Sequence, residues 1–195
     1  MTLTSHADIL RSTFAETIAL HRRVMEADHG PVLDAAAAIV RAMSGGGTVF
    51  AFGNGGSAAD AQHVASELVG RFERERRGLA AIALTTDASV LTSVSNDYGF
   101  ERVFARQIEA LGQAGDVAMG ITTSGASPNV VAAFEAARGR RLQTIALTGR
   151  DGGAAGRVAD IHINVPGDST ARIQEVHRTL LHVICDLVEK AFTEQ

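Results

Sequence analysis

The chain has 195 residues, of which 46% are hydrophobic, and a formal net charge of -4, a size that fits one domain with a substantial buried core. No run approaches the roughly 20 apolar residues needed to span a bilayer, and no basic stretch offers a footprint for nucleic acid or an anionic membrane, so neither is expected as a partner. The opening residues lack a basic segment leading into an apolar one, and the lone Cys185 cannot staple the chain, so the cytoplasm is the expected compartment and Cys185 a core thiol.

Taken in chain order, Ser5 and Asp8 have the spacing of a capping box, and Leu10, Phe14, His21 and Met25 follow at helical intervals, predicting a first helix. Pro31 opens a second, alanine-rich helix that stops at Gly45, Gly46 and Gly47, and residues 48–52 then read as a buried strand. Short apolar runs at 81–85, 117–122, 143–148 and 161–165 predict four more strands, separated by helical patterns or long connections. Strand alternating with helix is the signature of a parallel sheet. Ile173, Val176, Leu180, Val183, Leu187 and Ala191 keep helical spacing, so the chain closes on a long amphipathic helix.

The first chemical feature is the turn Gly53-Asn54-Gly55-Gly56-Ser57 after the first strand, leading into a helix expected from about Ala58. Glycine permits a close backbone approach, and a helix N-terminus favours an anion through its free amides and dipole. Gly53, Gly55 and Ala58 also fit the G-x-G-x-x-A dinucleotide pattern, with Asp87 in the position of a ribose-binding acid. That acid lies further along the chain than the roughly 20 residues such sites use.

The second feature is the run Thr122-Thr123-Ser124-Gly125-Ala126-Ser127-Pro128-Asn129 at the end of the third strand. Ser127 before Pro128 reads as an N-cap and first helical residue. Thr122, Thr123 and Ser124 exceed what capping needs, and a dianionic phosphate held by neutral donors calls for such a set. The only lysine, Lys190, lies in the closing helix, which removes Schiff-base aldolases, pyridoxal phosphate enzymes and Walker-type loops.

The third feature is His63 with Glu67, one helical turn apart just beyond the glycine turn. In the closing helix, Gln174 and His182 differ by roughly 80° in azimuth and can face one side. A His, Glu, His set with a neutral oxygen donor has the chemistry of a catalytic zinc site. By residue type alone, His177 is an equal candidate.

Together the Gly-Asn-Gly-Gly-Ser turn, Asp60-Ala61-Gln62-His63, Glu67, Asn96-Asp97-Tyr98-Gly99, the Thr-Ser-Gly-x-Ser loop, Thr148-Gly149-x-Asp151-Gly152-Gly153 and Arg172-Ile173-Gln174-Glu175-x-His177 resemble the phosphoheptose isomerases of the sugar isomerase (SIS) family. The resemblance covers nearly the whole chain and departs from the family modestly, with Thr122 where serine is common and Ala171 where some members carry an acid. It implies a single SIS domain over 1–195, a doubly wound, flavodoxin-like α/β fold with a five-stranded parallel sheet over 46–195, and N-terminal helices over 1–45 used in assembly. It implies a homotetramer with shared active sites, acting on a small-molecule sugar phosphate, sedoheptulose 7-phosphate. It selects His182 over His177, giving one zinc per subunit on His63, Glu67, Gln174 and His182, with Glu67 as base and His182 as acid. Asn54, Gly55 and Gly56 would line the sugar, where Glu67 and Gln174 also meet it; Ser57, Thr122, Thr123, Ser124 and Ser127 would hold the phosphate, and Asn96 and Asp97 the hydroxyls. Asp60 is expected to orient His63 from behind, as ligating imidazoles require. Non-catalytic SIS relatives, including sugar-phosphate binders and a replication-initiator-binding protein, lack the metal ligands, which are present here.

Overall fold

The computed structural model describes residues 5–193. Helices α1 (His6–Met25) and α2 (Gly30–Ser44) precede β1 (Val49–Gly53), α3 (Gly56–Val69) and β2 (Ala81–Ala83). Then come α4 (Ala88–Tyr98), a 3-10 turn (Phe100–Arg102), α5 (Ala105–Leu111), β3 (Val117–Thr122) and α6 (Pro128–Gly139). The chain ends with β4 (Gln143–Gly149), α7 (Gly153–Val158), β5 (Ile161–Val165) and the long α8 (Thr170–Thr193).

The capping box at the start of α1 forms as the sequence predicts: Ser5 Oγ accepts from the Asp8 backbone N–H at 3.1 Å, and the Asp8 carboxylate accepts from the Ser5 N–H at 3.3 Å. The five strands pair in parallel in the order β2-β1-β3-β4-β5. Alternation along each strand divides the core. Val49, Ala51, Val117, Met119, Ile121, Ile145 and Leu147 pack toward α2, α3 and α8, while Phe50, Phe52, Ala118 and Ala146 pack toward α5 and α6. Both faces are covered, which is why the inner strands β1 and β3 read as continuous apolar runs, whereas the edge strand β5 alternates.

Strands β1 and β4 end one residue later than the sequence reading, and two other boundaries differ for a visible reason. Strand β2 keeps three residues, not five, because it lies at the sheet edge and turns away after Ala83, whose carbonyl accepts from Thr86 Oγ1 at 3.2 Å. Helix α3 starts at Gly56 rather than near Ala58, since Gly55, at φ 57°, turns the chain directly into it.

Chain direction reverses between β1 and β3: β1 connects outward to β2, and β3 outward to β4. The glycine turn after β1 and the hydroxyl loop after β3 therefore lie side by side at the switch point, where open α/β sheets bind ligands. No described helix is long and apolar enough to cross a membrane.

Candidate active site

The cavity at the switch point is lined by Asn54, Gly55, Gly56, Ser57, Thr122, Thr123, Ser124, Ser127, Thr170 and Gln174. The first turns of α3, α6 and α8 all reach it, so three sets of N-terminal helix dipoles favour an anion there. No lysine or arginine lines it among the described residues. A dianion placed there would be held by hydroxyls and amides.

Ser127 occupies the N-cap position of α6, but its hydroxyl bonds no helix amide. It turns instead to Thr122 Oγ1 at 3.0 Å, and Ser124 Oγ lies 3.3 Å from the same atom. This corrects the expectation that capping explains Ser127. Pro128 leaves the first helical turn with one donor fewer to satisfy, and the freed hydroxyl joins a trio around the buried Thr122. Asn54 and Asn129 hold the two halves of the cavity together, each side-chain amide donating to the other's oxygen at 2.9 Å. The sequence assigns Asn129 no role; its place at the end of the hydroxyl run was the available signal.

Along α3 the helical repeat stacks His63 on Glu67, with Nε2 and Oε1 3.4 Å apart. From α8, His182 completes the group, its Nε2 2.8 Å from that of His63. One ligand atom from each of the three falls within 4.8 Å of the other two. The donor set, two imidazole nitrogens and a carboxylate oxygen, suits zinc. Two imidazole nitrogens this close also need a shared proton or cation between them.

Gln174 joins the two parts of the site. It lines the hydroxyl-loop cavity and also an adjoining one with Gly56, Asp60 and His182. A Cβ on Gly56 would lie 2.5 Å from Gln174 Nε2, so glycine there is what lets the amide sit against the turn. Gln174 and His182 do look to one side of α8, as their azimuths predict.

His177 faces the other way. It is fully buried, with Nε2 2.8 Å from the Thr148 carbonyl, to which it donates. Burial pushes its pKa down, partly offset by that hydrogen bond and by the Asp60 charge. Asp60 does not orient His63: its Oδ1 accepts from Arg178 Nε at 3.1 Å and Nη2 at 2.6 Å. Arg178, one turn before His182, gives the carboxylate a charged partner with two donors. Asp87 has a local task, its side chain capping α4 by accepting from the Val90 N–H at 3.0 Å. Asn96 and Asp97 lie exposed near the end of α4, bonded to each other at 2.8 Å, outside both cavities. Burial pushes the Cys185 thiol up to about 12, which makes it inert at neutral pH.

The sequence matches the SIS-domain family over residues 14–149. A phosphoheptose isomerase from Bordetella avium is 52% identical over 183 residues, covering 92% of this chain and 93% of that protein. Two solved phosphoheptose isomerases superpose closely. The enzyme from Neisseria gonorrhoeae has a TM-score of 0.91 at 45% identity, covering 95% of this chain and 100% of that one. The enzyme from Francisella tularensis reaches 0.92 at 40% identity, covering 95% and 99%. The fold and the family match thus define a SIS-domain protein. Within that class, the chain belongs to the phosphoheptose isomerase family.

Proposed function

We propose that this protein is an aldose-ketose isomerase that converts sedoheptulose 7-phosphate to D-glycero-D-manno-heptose 7-phosphate in the cytoplasm, with one zinc per subunit. The observation that carries the reading is that His182, grouped with His63 and Glu67, lines a cavity with Gln174 and Gly56, and the same two residues line the hydroxyl-loop cavity. A heptose phosphate needs an anion cradle at C7 and acid-base groups at C1 and C2. A pure sugar-phosphate binder has no use for the second.

In this account Ser57, Thr122, Thr123, Ser124 and Ser127 bind the phosphate, while Asn54, Gly55 and Gly56 line the chain of the open sugar. Glu67 removes the C1 proton and returns it at C2, and His182 moves the proton between the two oxygens. His63, Glu67, Gln174 and His182 would hold the metal, which when bound supplies Lewis-acid stabilisation of the negative charge that develops on those oxygens. Glu67 serves as base only with one carboxylate oxygen free, and its side chain, 20% exposed, is not sealed from solvent.

The proposal includes a homotetramer with shared sites. Ile9, Leu10, Phe14, Ile18 and Met25 form an exposed apolar row on α1, joined by Leu33 and Val183, more than an isolated helix leaves in water without a partner. Asn96 and Asp97, exposed on α4, then serve substrate hydroxyls across a subunit contact. The test is an assay for sedoheptulose 7-phosphate turnover with metal analysis and solution mass. Turnover that survives complete chelation, or none with zinc bound, would refute the reading.

A further inference from the structure

Glu189 lies two turns beyond His182 on α8, and its side chain is completely buried. Its carboxylate accepts three backbone N–H bonds from one segment, from Phe72 at 2.8 Å, Glu73 at 2.8 Å and Arg74 at 2.7 Å. Arg74 Nη1 and Arg76 Nε stand 3.7 Å from it, and Arg74 is itself held by Asp186 at 2.6 Å. Burial alone would raise the pKa of Glu189; the three amides and Arg76 outweigh it and hold the group ionised.

The segment so anchored touches both walls of the His63, Glu67 and His182 group. The Phe72 ring packs on the His182 ring, with centroids 5.4 Å apart. Arg76 donates from Nη2 to the Glu67 carbonyl at 2.6 Å, and from Nη1 to the Leu68 and Gly70 carbonyls at 2.8 and 2.9 Å. These are the carbonyls that the end of α3 leaves without helical partners, and α3 is the helix that carries His63 and Glu67. One carboxylate thus fixes the ring behind His182 and the helix end beneath Glu67.

We propose that Glu189 is a positioning residue for the His63, Glu67 and His182 group, acting through the Phe72 to Arg76 segment. A buried charge is a poor device for stability alone, because an apolar side chain of similar volume often serves as well. What three convergent amides on one carboxylate supply is a fixed place for the segment, and with it a fixed place for the ligand atoms. The inference deepens the zinc reading and rests on it for the identity of the ion.

The test uses the full chain and the Glu189→Gln variant, which keeps the size of the group and removes its charge. Zn²⁺ titration should show at least tenfold weaker binding, and kcat should fall while KM for sedoheptulose 7-phosphate stays within about twofold, since the hydroxyl loop stands on other elements. In metal-free protein the ring resonances of His182 should shift. Should Glu189→Gln fold poorly, Phe72→Leu removes the ring but leaves the anchor, and should produce the same His182 shift and weaker zinc binding. If the variants lower Tm yet leave zinc affinity and the His182 resonances at wild-type values, Glu189 is only a structural anchor and the proposal is overturned. A wild-type protein that binds no Zn²⁺ defeats the metal reading alone, and a His182 shift in Glu189→Gln would still support positioning.

Discussion

The Nε2 atoms of His63 and His182 face each other at 2.8 Å, although the two residues stand 119 positions apart in the chain. A single N–H···N hydrogen bond accounts for the distance, and with Glu67 beside them the same two nitrogens form a group able to hold a cation. His63→Ala should therefore lower zinc affinity by at least tenfold, whereas His177→Ala, remote from the group, should leave it unchanged. Competition with a chromophoric chelator measures both.

Gly56 and Gln174 provide a steric test. With a Cβ on Gly56 placed 2.5 Å from Gln174 Nε2, Gly56→Ala must push the amide away from the turn. The expected result is a fall in kcat/KM of about tenfold or more with little change in Tm, because both residues border open cavities rather than the core. Wild-type kinetics in Gly56→Ala would show that the Gln174 position is not used.

The hydroxyl trio predicts a graded loss. Ser124→Ala and Ser127→Ala each remove one donor to the dianion, and each should raise KM by an amount equivalent to about 1 to 3 kcal/mol. The double variant should lose less than the sum, because both hydroxyls bond Thr122 Oγ1. Steady-state KM values for the three variants check this.

Burial holds His177 and His162 below the ordinary histidine pKa. The unfolded chain then takes up protons from about pH 6.5 downward that the folded protein refuses. Stability contributed by the neutral rings is complete above that pH and is lost as pH falls toward the depressed folded values. The slope is up to about 1.4 kcal/mol per pH unit for each proton. His177→Gln keeps a donor for the Thr148 carbonyl and does not titrate, so urea unfolding of this variant between pH 7 and 5 should give a shallower decline than wild type.

Much of this architecture is legible in the sequence because its signals are local. The β3 run is continuous and apolar, the β5 run alternates apolar with polar residues, and the bounds of both agree with the sequence reading; glycine marks the end of β1, and Ser5 with Asp8 marks the start of α1. The vicinity of the glycine turn, the hydroxyl loop and the His63 with Glu67 pair follows from the same kind of reading. What local patterns cannot convey is the choice among partners brought together by the fold. Asp60 has His63 one turn away but bonds Arg178 from another helix, and Ser127 has a helix amide to cap but bonds Thr122. Glu189 reads as one more polar residue in an amphipathic helix, and only its three amide partners reveal what it holds.

The central claim is that Glu67 carries the proton between C1 and C2 at a site it also helps to form. Glu67→Gln keeps an oxygen donor and nearly the same volume while removing the basicity, so the decisive measurement is exchange of the substrate C1 hydrogen with solvent in Glu67→Gln protein of known zinc content. The account predicts that zinc and sedoheptulose 7-phosphate still bind while exchange slows by roughly 100-fold or more. Exchange at the wild-type rate, or a loss that excess zinc fully restores, would contradict it.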